Sequence, residues 1–352
     1  MMSEDLIRVL VIDDSAYNRR VLSEIIDQSG FAKVVGIARD GEEGLKKVFD
    51  LRPDLITLDL EMPHMDGFTF LRILMKSMPT PVVVVSSLAE DRNVFKALEL
   101  GALDFVAKPD SKISTVEQFQ KDLHQKLMMT SHIRMRNIQR RLSQQSAAQL
   151  IATPVVKPAE AGVRKVELIA IGASTGGPSA IQSIISRFPE DLGAGIAISQ
   201  HMPPGFTRAF AERLDRISKL KVKEAEEGDV MEKGKVLVSP GGKNLLLVKQ
   251  GGKVIAKIEE RTETDRYVPS VDKLFKSAAR VYGPRMLAVV LTGMGSDGKE
   301  GILAVKSAGG VVIAESEKTS IVFGMPREAI ETHQVDKVVN LEQISGEILQ
   351  FC

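Results

Sequence analysis

Short β-branched runs alternate with stretches of helical periodicity along this chain, and they do so twice. In the first half the strand candidates are Ile7–Ile12, Val34–Ala38, Leu55–Leu58, Val82–Val85 and Phe105–Ala107. Helical stretches fall between them, near Ala16–Gln28, Glu42–Phe49, Phe68–Lys76 and Arg92–Leu100. Strands that alternate with helices pair in parallel through helical crossovers, so a doubly wound, five-stranded parallel sheet with helices on both faces is expected. A further helix should start near Ser114 and run towards Arg141, its Arg134, Arg136, Arg140 and Arg141 forming a solvated connector. From Ser143 to Lys165 the period is lost (SQQSAAQLIATPVVKPAEAGVRK), which reads as a linker.

A second alternation follows, with strand candidates Leu168–Ile171, Ile196–Ser199, Val236–Val238, Leu287–Leu291 and Val311–Ala314. Between Val222 and Glu259 the strand-like runs KVLVSP, NLLLVK and KVIAKIE crowd together with Gly-Gly turns, so a small antiparallel insert is expected there. The fold class is therefore α/β with two doubly wound domains, the second mostly parallel. The expected divisions are a first domain over 1–125, a connecting helix and linker over 126–165 and a second domain over 166–352.

Charge and cysteine content narrow the setting. With 47 basic and 46 acidic residues the chain has no electrostatic footprint for nucleic acid. Cys352 is the only cysteine, which excludes an intrachain disulfide and fits a reducing, cytoplasmic compartment. The opening MMSEDLIRVL is acidic and passes straight into a strand-like run, so no signal peptide is expected. Apolar runs such as Met286–Leu291 fall far short of the roughly 20 residues a membrane span needs, and a cytoplasmic monomer without membrane insertion is expected.

Asp13 and Asp14 follow the first strand directly, and Asp59 ends the third. In a doubly wound sheet these strands are neighbours, so three carboxylates converge at one edge. Their mutual repulsion is relieved by a hard divalent cation with oxygen ligands and open water positions, which describes Mg²⁺. Ser86 ends the fourth strand and Lys108 lies just past the fifth; a hydroxyl and an ammonium there would stabilise an incoming phosphoryl group. Any one of these acids alone could be a helix cap. The joint pattern is much harder to obtain by chance.

These residues, in VLVIDDS, LDLEMPHMDG, VVVVSS and GALDFVAKP, give residues 1 to about 125 a resemblance to the receiver domains of two-component response regulators. The resemblance implies that Asp59 is the phospho-acceptor and that Asp13 and Asp14 help hold Mg²⁺. It also implies that Ser86 contacts the phosphoryl group, that Lys108 pairs with it, that Phe105 is the aromatic switch, and that the peptide before Pro109 is cis.

In the second half, Gly172-Ala-Ser174-Thr-Gly176 lies between a strand and a helical stretch. A G-x-S-x-G turn there exposes a serine oxygen at a helix N-terminus. Alone it fits a nucleophile, an anion-binding turn or a plain tight turn; a P-loop is excluded because Gly-Lys-Ser/Thr is missing. Of five histidines, only His201 stands at a strand end before proline and glycine (AISQHMPPGF); His64, His124, His132 and His333 do not. Asp297, in LAVVLTGMGSDG, occupies the matching turn after another strand. Together they suggest a Ser174–His201–Asp297 unit in which His201 takes the serine proton and Asp297 orients the ring, with no cofactor for ester hydrolysis.

The segments IGASTGGPSA, SQHMPPGFT, YVPSVDKLFKSAA, LTGMGSDGKEG and TSIVFGMPREA make the chain from about Val166 onward resemble the catalytic domain of chemotaxis protein-glutamate methylesterases. That resemblance implies the same triad, with Thr175 and Met294 backbone N–H groups at the oxyanion. It implies hydrolysis of glutamate methyl esters on methyl-accepting chemoreceptors, deamidation of receptor glutamines, and a chemotaxis histidine kinase as phosphodonor. Two positions depart from the family pattern: Asn244 stands where histidine is usual, and Glu315 replaces a glutamine, where an added acid near the cleft would repel an acidic receptor helix. Coupling is expected through a receiver that covers the Ser174 cleft until Asp59 is phosphorylated. The competing expectation is a response regulator whose hydrolase fold serves as a non-catalytic docking module.

Overall fold

A computed structural model describes residues 6–87, 91–109, 115–129, 133, 135, 137–139 and 165–352. The chain divides into two compact units, Met1–Leu150 and Ile151–Cys352.

The first unit contains β1 (Ile7–Ile12), α1 (Ala16–Gln28), β2 (Ala32–Ala38), α2 (Gly41–Leu51), β3 (Leu55–Leu58), α3 (Gly67–Ser77), β4 (Val82–Ser86), α4 (Asp91–Glu99), β5 (Asp104–Ala107) and α5 (Val116–Met128). Its sheet is parallel throughout in the order β2-β1-β3-β4-β5. Val9–Ile12, Leu55, Ile56, Leu58 and Val82–Val85 are all buried, as continuous apolar strands must be when helices cover both faces. The helices start where short polar side chains cap them: Asp40 accepts from Glu43 N at 2.8 Å, and Asp66 from Thr69 N at 2.7 Å. α5 passes residue 125 and stops at Met128, with Leu127 and Met129 buried, rather than running on to Arg141. Helix recurs at 137–139. Arg134, Arg136, Arg140, Arg141 and the linker segment 141–164 lie outside the described residues.

The second unit comprises β6 (Leu168–Ala173), α6 (Gly177–Ile185), β7 (Gly195–Gln200), α7 (Phe206–Ile217), β8 (Lys221–Glu224), β9 (Lys235–Val238), β10 (Lys243–Gln250), β11 (Lys253–Glu260), α8 (Val271–Tyr282), β12 (Met286–Val290), α9 (Lys299–Ser307), β13 (Val311–Glu315), α10 (Met325–Ile330), β14 (Lys337–Val339) and α11 (Leu341–Leu349). Seven strands form a parallel sheet ordered β14-β13-β12-β6-β7-β9-β8. The chain winds outward from β6 in one direction and returns to β12 on its other side. The β6/β12 boundary is thus a topological switch point, where sheets of this kind open a crevice at the strands' carboxyl ends.

The antiparallel insert is smaller than expected. Among the described residues β10 and β11 pair antiparallel through Gly251-Gly252, with one isolated antiparallel bridge from Val230 to Ile255, whereas the KVLVSP strand (β9) joins the main sheet in parallel beside β7. Its Val236, Leu237 and Val238 are buried on both faces, a demand only an interior strand meets. The β10–β11 hairpin lays Leu245, Leu247 and Ala256 against Val271, Leu274 and Phe275 of α8. Truncating the fully buried Phe275 to alanine would cost about 3–5 kcal/mol.

Candidate active sites

Strand register builds the acidic pocket. Ile12 pairs with Leu58 across β1 and β3, so the next residues, Asp13 and Asp59, emerge side by side. Asp13, Asp14 and Asp59 bring carboxylate oxygens within 4.8 Å of one another. Asp13 and Asp59 are buried and Asp14 is exposed. Lys108 Nζ lies 2.6 Å from Asp59 Oδ2 and 3.3 Å from Asp13 Oδ2. Burial works against the Lys108 ammonium, but the two carboxylates outweigh it and raise its pKa above the ordinary lysine value. Asp59 Oδ1 accepts the Leu60 N–H at 2.7 Å, and Asp13 Oδ1 accepts that of Ser15 at 2.9 Å.

An oxygen-only cluster with one exposed member fits a hard divalent cation, and the arrangement resembles a receiver's Mg²⁺ and phosphoaspartate site. Ser86 and Phe105 are buried on adjacent strands β4 and β5, Ser86 at the strand end. The expected cis peptide before Pro109 is not formed; among the described residues the cis bond is Val268–Pro269. Lys108 reaches both acids without one.

In the second unit Gly172 pairs with Val290 and with Ser199, so Ser174, His201 and the Thr292–Asp297 loop leave the sheet at the same end. Ser174 N donates to Thr292 O at 3.1 Å, and His201 N to Ala173 O at 3.0 Å. Ser174 is 3% exposed and sits one turn before α6. Gly176, the residue before that helix, has φ +76°, which a side chain would strain. Gly293 is required by proximity: a Cβ there would lie 2.7 Å from Ser174 Cβ and 2.5 Å from Met325 Sδ.

His201 Nε2 lies 2.8 Å from Asp297 Oδ2. That contact leaves Nδ1 as the ring nitrogen not engaged by Asp297. Among the described residues no hydrogen bond joins Ser174 Oγ to the ring; such contacts commonly tighten only when substrate is bound. Asp297 is 2% exposed and is held by the N-terminus of α8: it accepts from Val271 N (2.7 Å), Asp272 N (2.9 Å) and Ser270 Oγ (3.2 Å). Burial alone would raise its pKa. The His201 contact and these N–H donors reverse that and hold the carboxyl below its ordinary range. Asp272 is pushed up to about 6 by burial and by the Asp297 charge, against the Gly301 and Gly298 N–H donors.

The loop that carries Met294 is buttressed from below. Thr292 Oγ1 donates to Thr175 O at 3.0 Å and accepts the Val322 N–H at 3.0 Å, while Met325 N donates to Gly293 O at 2.8 Å. Glu315, expected as an acid near the cleft, is instead fully buried at the end of β13 and accepts the Thr292 N–H at 2.8 Å. A carboxyl group enclosed in the core and bonded to a backbone donor presents nothing to a partner. Asn244 is likewise buried, its Oδ1 accepting Ser270 N at 2.9 Å and so fixing the start of α8.

Several residues at the site were given no role from the sequence. Gln200 Nε2 donates to both Ser174 O and His201 O at 3.0 Å, clasping the two strand ends together. Tyr267 stacks on the His201 ring. Ser270, Asn244 and Asp272 act through the helix start that receives Asp297. Of the remaining histidines, His124 bonds Ile25 O at 2.9 Å and packs edge-on to Phe31, a structural role.

Fold and sites together define a receiver-linked α/β hydrolase. Residues 169–348 match the CheB methylesterase family and residues 9–120 the response regulator receiver domain. The protein-glutamate methylesterase/protein-glutamine glutaminase 3 of Geobacter sulfurreducens is 49% identical over 98% of this chain and 97% of its own length. The corresponding protein of Thermotoga maritima is 41% identical over 99% of this chain and 100% of its own. The T. maritima CheB methylesterase catalytic domain, known from a crystal structure, matches at TM-score 0.52 and 41% identity, covering 53% of this chain and 100% of that domain. This chain belongs to the CheB methylesterase family. Among its described residues no helix is long and apolar enough to cross a membrane.

Proposed function

We propose that the chain hydrolyses glutamate methyl esters on methyl-accepting chemoreceptors, deamidates receptor glutamines, and is stimulated by phosphorylation of Asp59 from a chemotaxis histidine kinase. The observation that carries this reading is the 2.8 Å contact between His201 Nε2 and Asp297, at the sheet end where Ser174 enters α6. Ser174 Oγ attacks the ester carbonyl as His201 Nδ1 takes its proton. Asp297 fixes the ring's tautomer and stabilises the imidazolium. The Thr175 and Met294 N–H groups receive the oxyanion; Met294 N–H has no other acceptor among the described residues. His201 returns the proton to the leaving group, so that methoxide departs as methanol, or the amide nitrogen as ammonia when the substrate is glutamine. Water then attacks the acyl-enzyme by the same route and releases glutamate.

In the receiver, Mg²⁺ held by Asp13, Asp14 and Asp59 would neutralise charge on the transferring phosphoryl group. Lys108 pairs with the new phosphate, and Ser86 and Phe105 respond to it. The test is methanol release from methylated receptor membranes. Ser174→Ala should lower turnover on the order of a millionfold, and a phosphodonor with Mg²⁺ should accelerate the wild type. Undiminished release from the alanine variant would overturn the triad.

A further inference from the structure

His201 is held by more than Asp297. Tyr267 lies against it with ring centroids 5.0 Å apart and planes 6° from parallel. The same tyrosine is seated on the oxyanion loop: a Cβ at Gly295 would stand 2.3 Å from Tyr267 Oη and 3.1 Å from its Cζ. The Arg266 guanidinium carbon lies 5.2 Å from the Tyr267 ring centroid, and Arg266 itself is exposed. Tyr267 thus touches the ring that must accept the Ser174 proton and the backbone next to Met294, two parts of the site that come from different strands.

We propose that Tyr267 is a positioning residue for hydrolysis: its ring face fixes the plane of His201, and its edge holds that plane in register with the Met294 loop. The inference rests on the reading of His201 as the base. An imidazole bonded through one nitrogen to a carboxylate can still swing about that contact. Swinging moves Nδ1 out of line with Ser174 Oγ while leaving the Asp297 bond intact. A flat neighbour parallel to the ring removes this freedom, because any rotation out of plane either loses the stacking or collides with it. The same contact favours the imidazolium that forms in the transition state, since an aromatic face attracts a cation. The effect should therefore fall on turnover and not on substrate binding.

Three variants of the full chain test this in the methanol-release assay: Tyr267→Phe, Tyr267→Leu and, as reference, Ser174→Ala. Phenylalanine keeps the flat face and should leave kcat near that of the wild type. Leucine removes it and should lower kcat by about tenfold to a hundredfold with KM little changed. Melting temperature and phosphodonor-driven labelling of Asp59 should be unchanged in both. If leucine lowers the melting temperature, Tyr267→Met replaces it, being of similar volume without a flat face. Wild-type kcat in the leucine variant overturns the proposal, and so does an equal loss in phenylalanine and leucine. If Ser174→Ala retains activity, the triad reading itself fails; if it is dead while leucine is fully active, only the role of Tyr267 fails.

Discussion

Asp59 and Asp297 each follow a strand of a parallel sheet, yet their charges are met in opposite ways. Asp59 shares its pocket with Asp13 and the exposed Asp14, and one side chain, Lys108, bridges the two buried acids. Asp297 faces no such crowd among the described residues: His201, Ser270 Oγ and backbone N–H groups at the start of α8 surround it, with the acid Asp272 nearby. Among the described residues three carboxylates meet Lys108 in the first site, which suits it to admit a divalent cation and, through that cation, a phosphoryl group from outside. The carboxylate of the second is satisfied from within, by hydrogen bonds already in place without a substrate. One is built to change state and the other to keep it.

Removing the internal charge should break the second site most. Asp297→Asn leaves the shape but reverses the hydrogen-bonding sense at His201 Nε2, and kcat for methanol release should drop on the order of ten-thousandfold. A variant still within tenfold of wild type would mean that the carboxylate only caps α8. The receiver should respond differently. Asp59→Asn, or chelation of Mg²⁺, should abolish stimulation by a phosphodonor and leave the unstimulated rate standing. Persisting stimulation in either case would place the phosphorylation elsewhere.

The pair Asp272 and Asp297 sharpens the contrast within one site, because their pKa values are displaced in opposite directions. Asp297, depressed below its unfolded value of about 4, adds stability above that pH and loses it as pH falls through its lower folded value. Asp272, raised to about 6, costs stability once it ionises. Asp272→Asn should therefore raise the melting temperature at pH 8 on the order of 5 °C, the gain fading as pH falls from about 6 towards about 4. A gain that is constant across this range would show that its charge is already relieved.

Smallest of all should be Glu315→Gln. The amide oxygen can still accept the Thr292 N–H, so kcat should change less than about threefold. Glu315→Leu, which leaves that buried donor unmet at a cost of about 1–3 kcal/mol, should lower kcat and stability together.

Interior strands were the most legible part of the fold. Val9–Ile12 of β1, β3 and the core of β4 are continuous β-branched or apolar runs, because helices on both faces favour such side chains at every position. β8 (KVKE) and β14 (KVV) lie at the two edges of the second sheet, where lysine is tolerated and protective, and neither run stands out in the sequence. The β9 pairing was misread for a related reason: closeness in sequence to the hairpin suggested an antiparallel partner, while burial on both faces drew the strand into the main sheet.

By itself the sequence determined two mostly parallel α/β units and the strand ends at which candidate residues gather, since period and strand-end residue types are local properties. It named Asp13, Asp14, Asp59, Lys108, Ser174, His201 and Asp297 because each stands at such an end. What it left open were the contacts made across long separations. Tyr267 on His201, Gln200 beneath Ser174, Asn244 behind Ser270 and Glu315 under Thr292 are set by packing between elements far apart in the chain. Only the tertiary structure decided these, because the direction a side chain points from a loop, and whether an acid meets water or a backbone N–H, depend on what the rest of the fold places beside it.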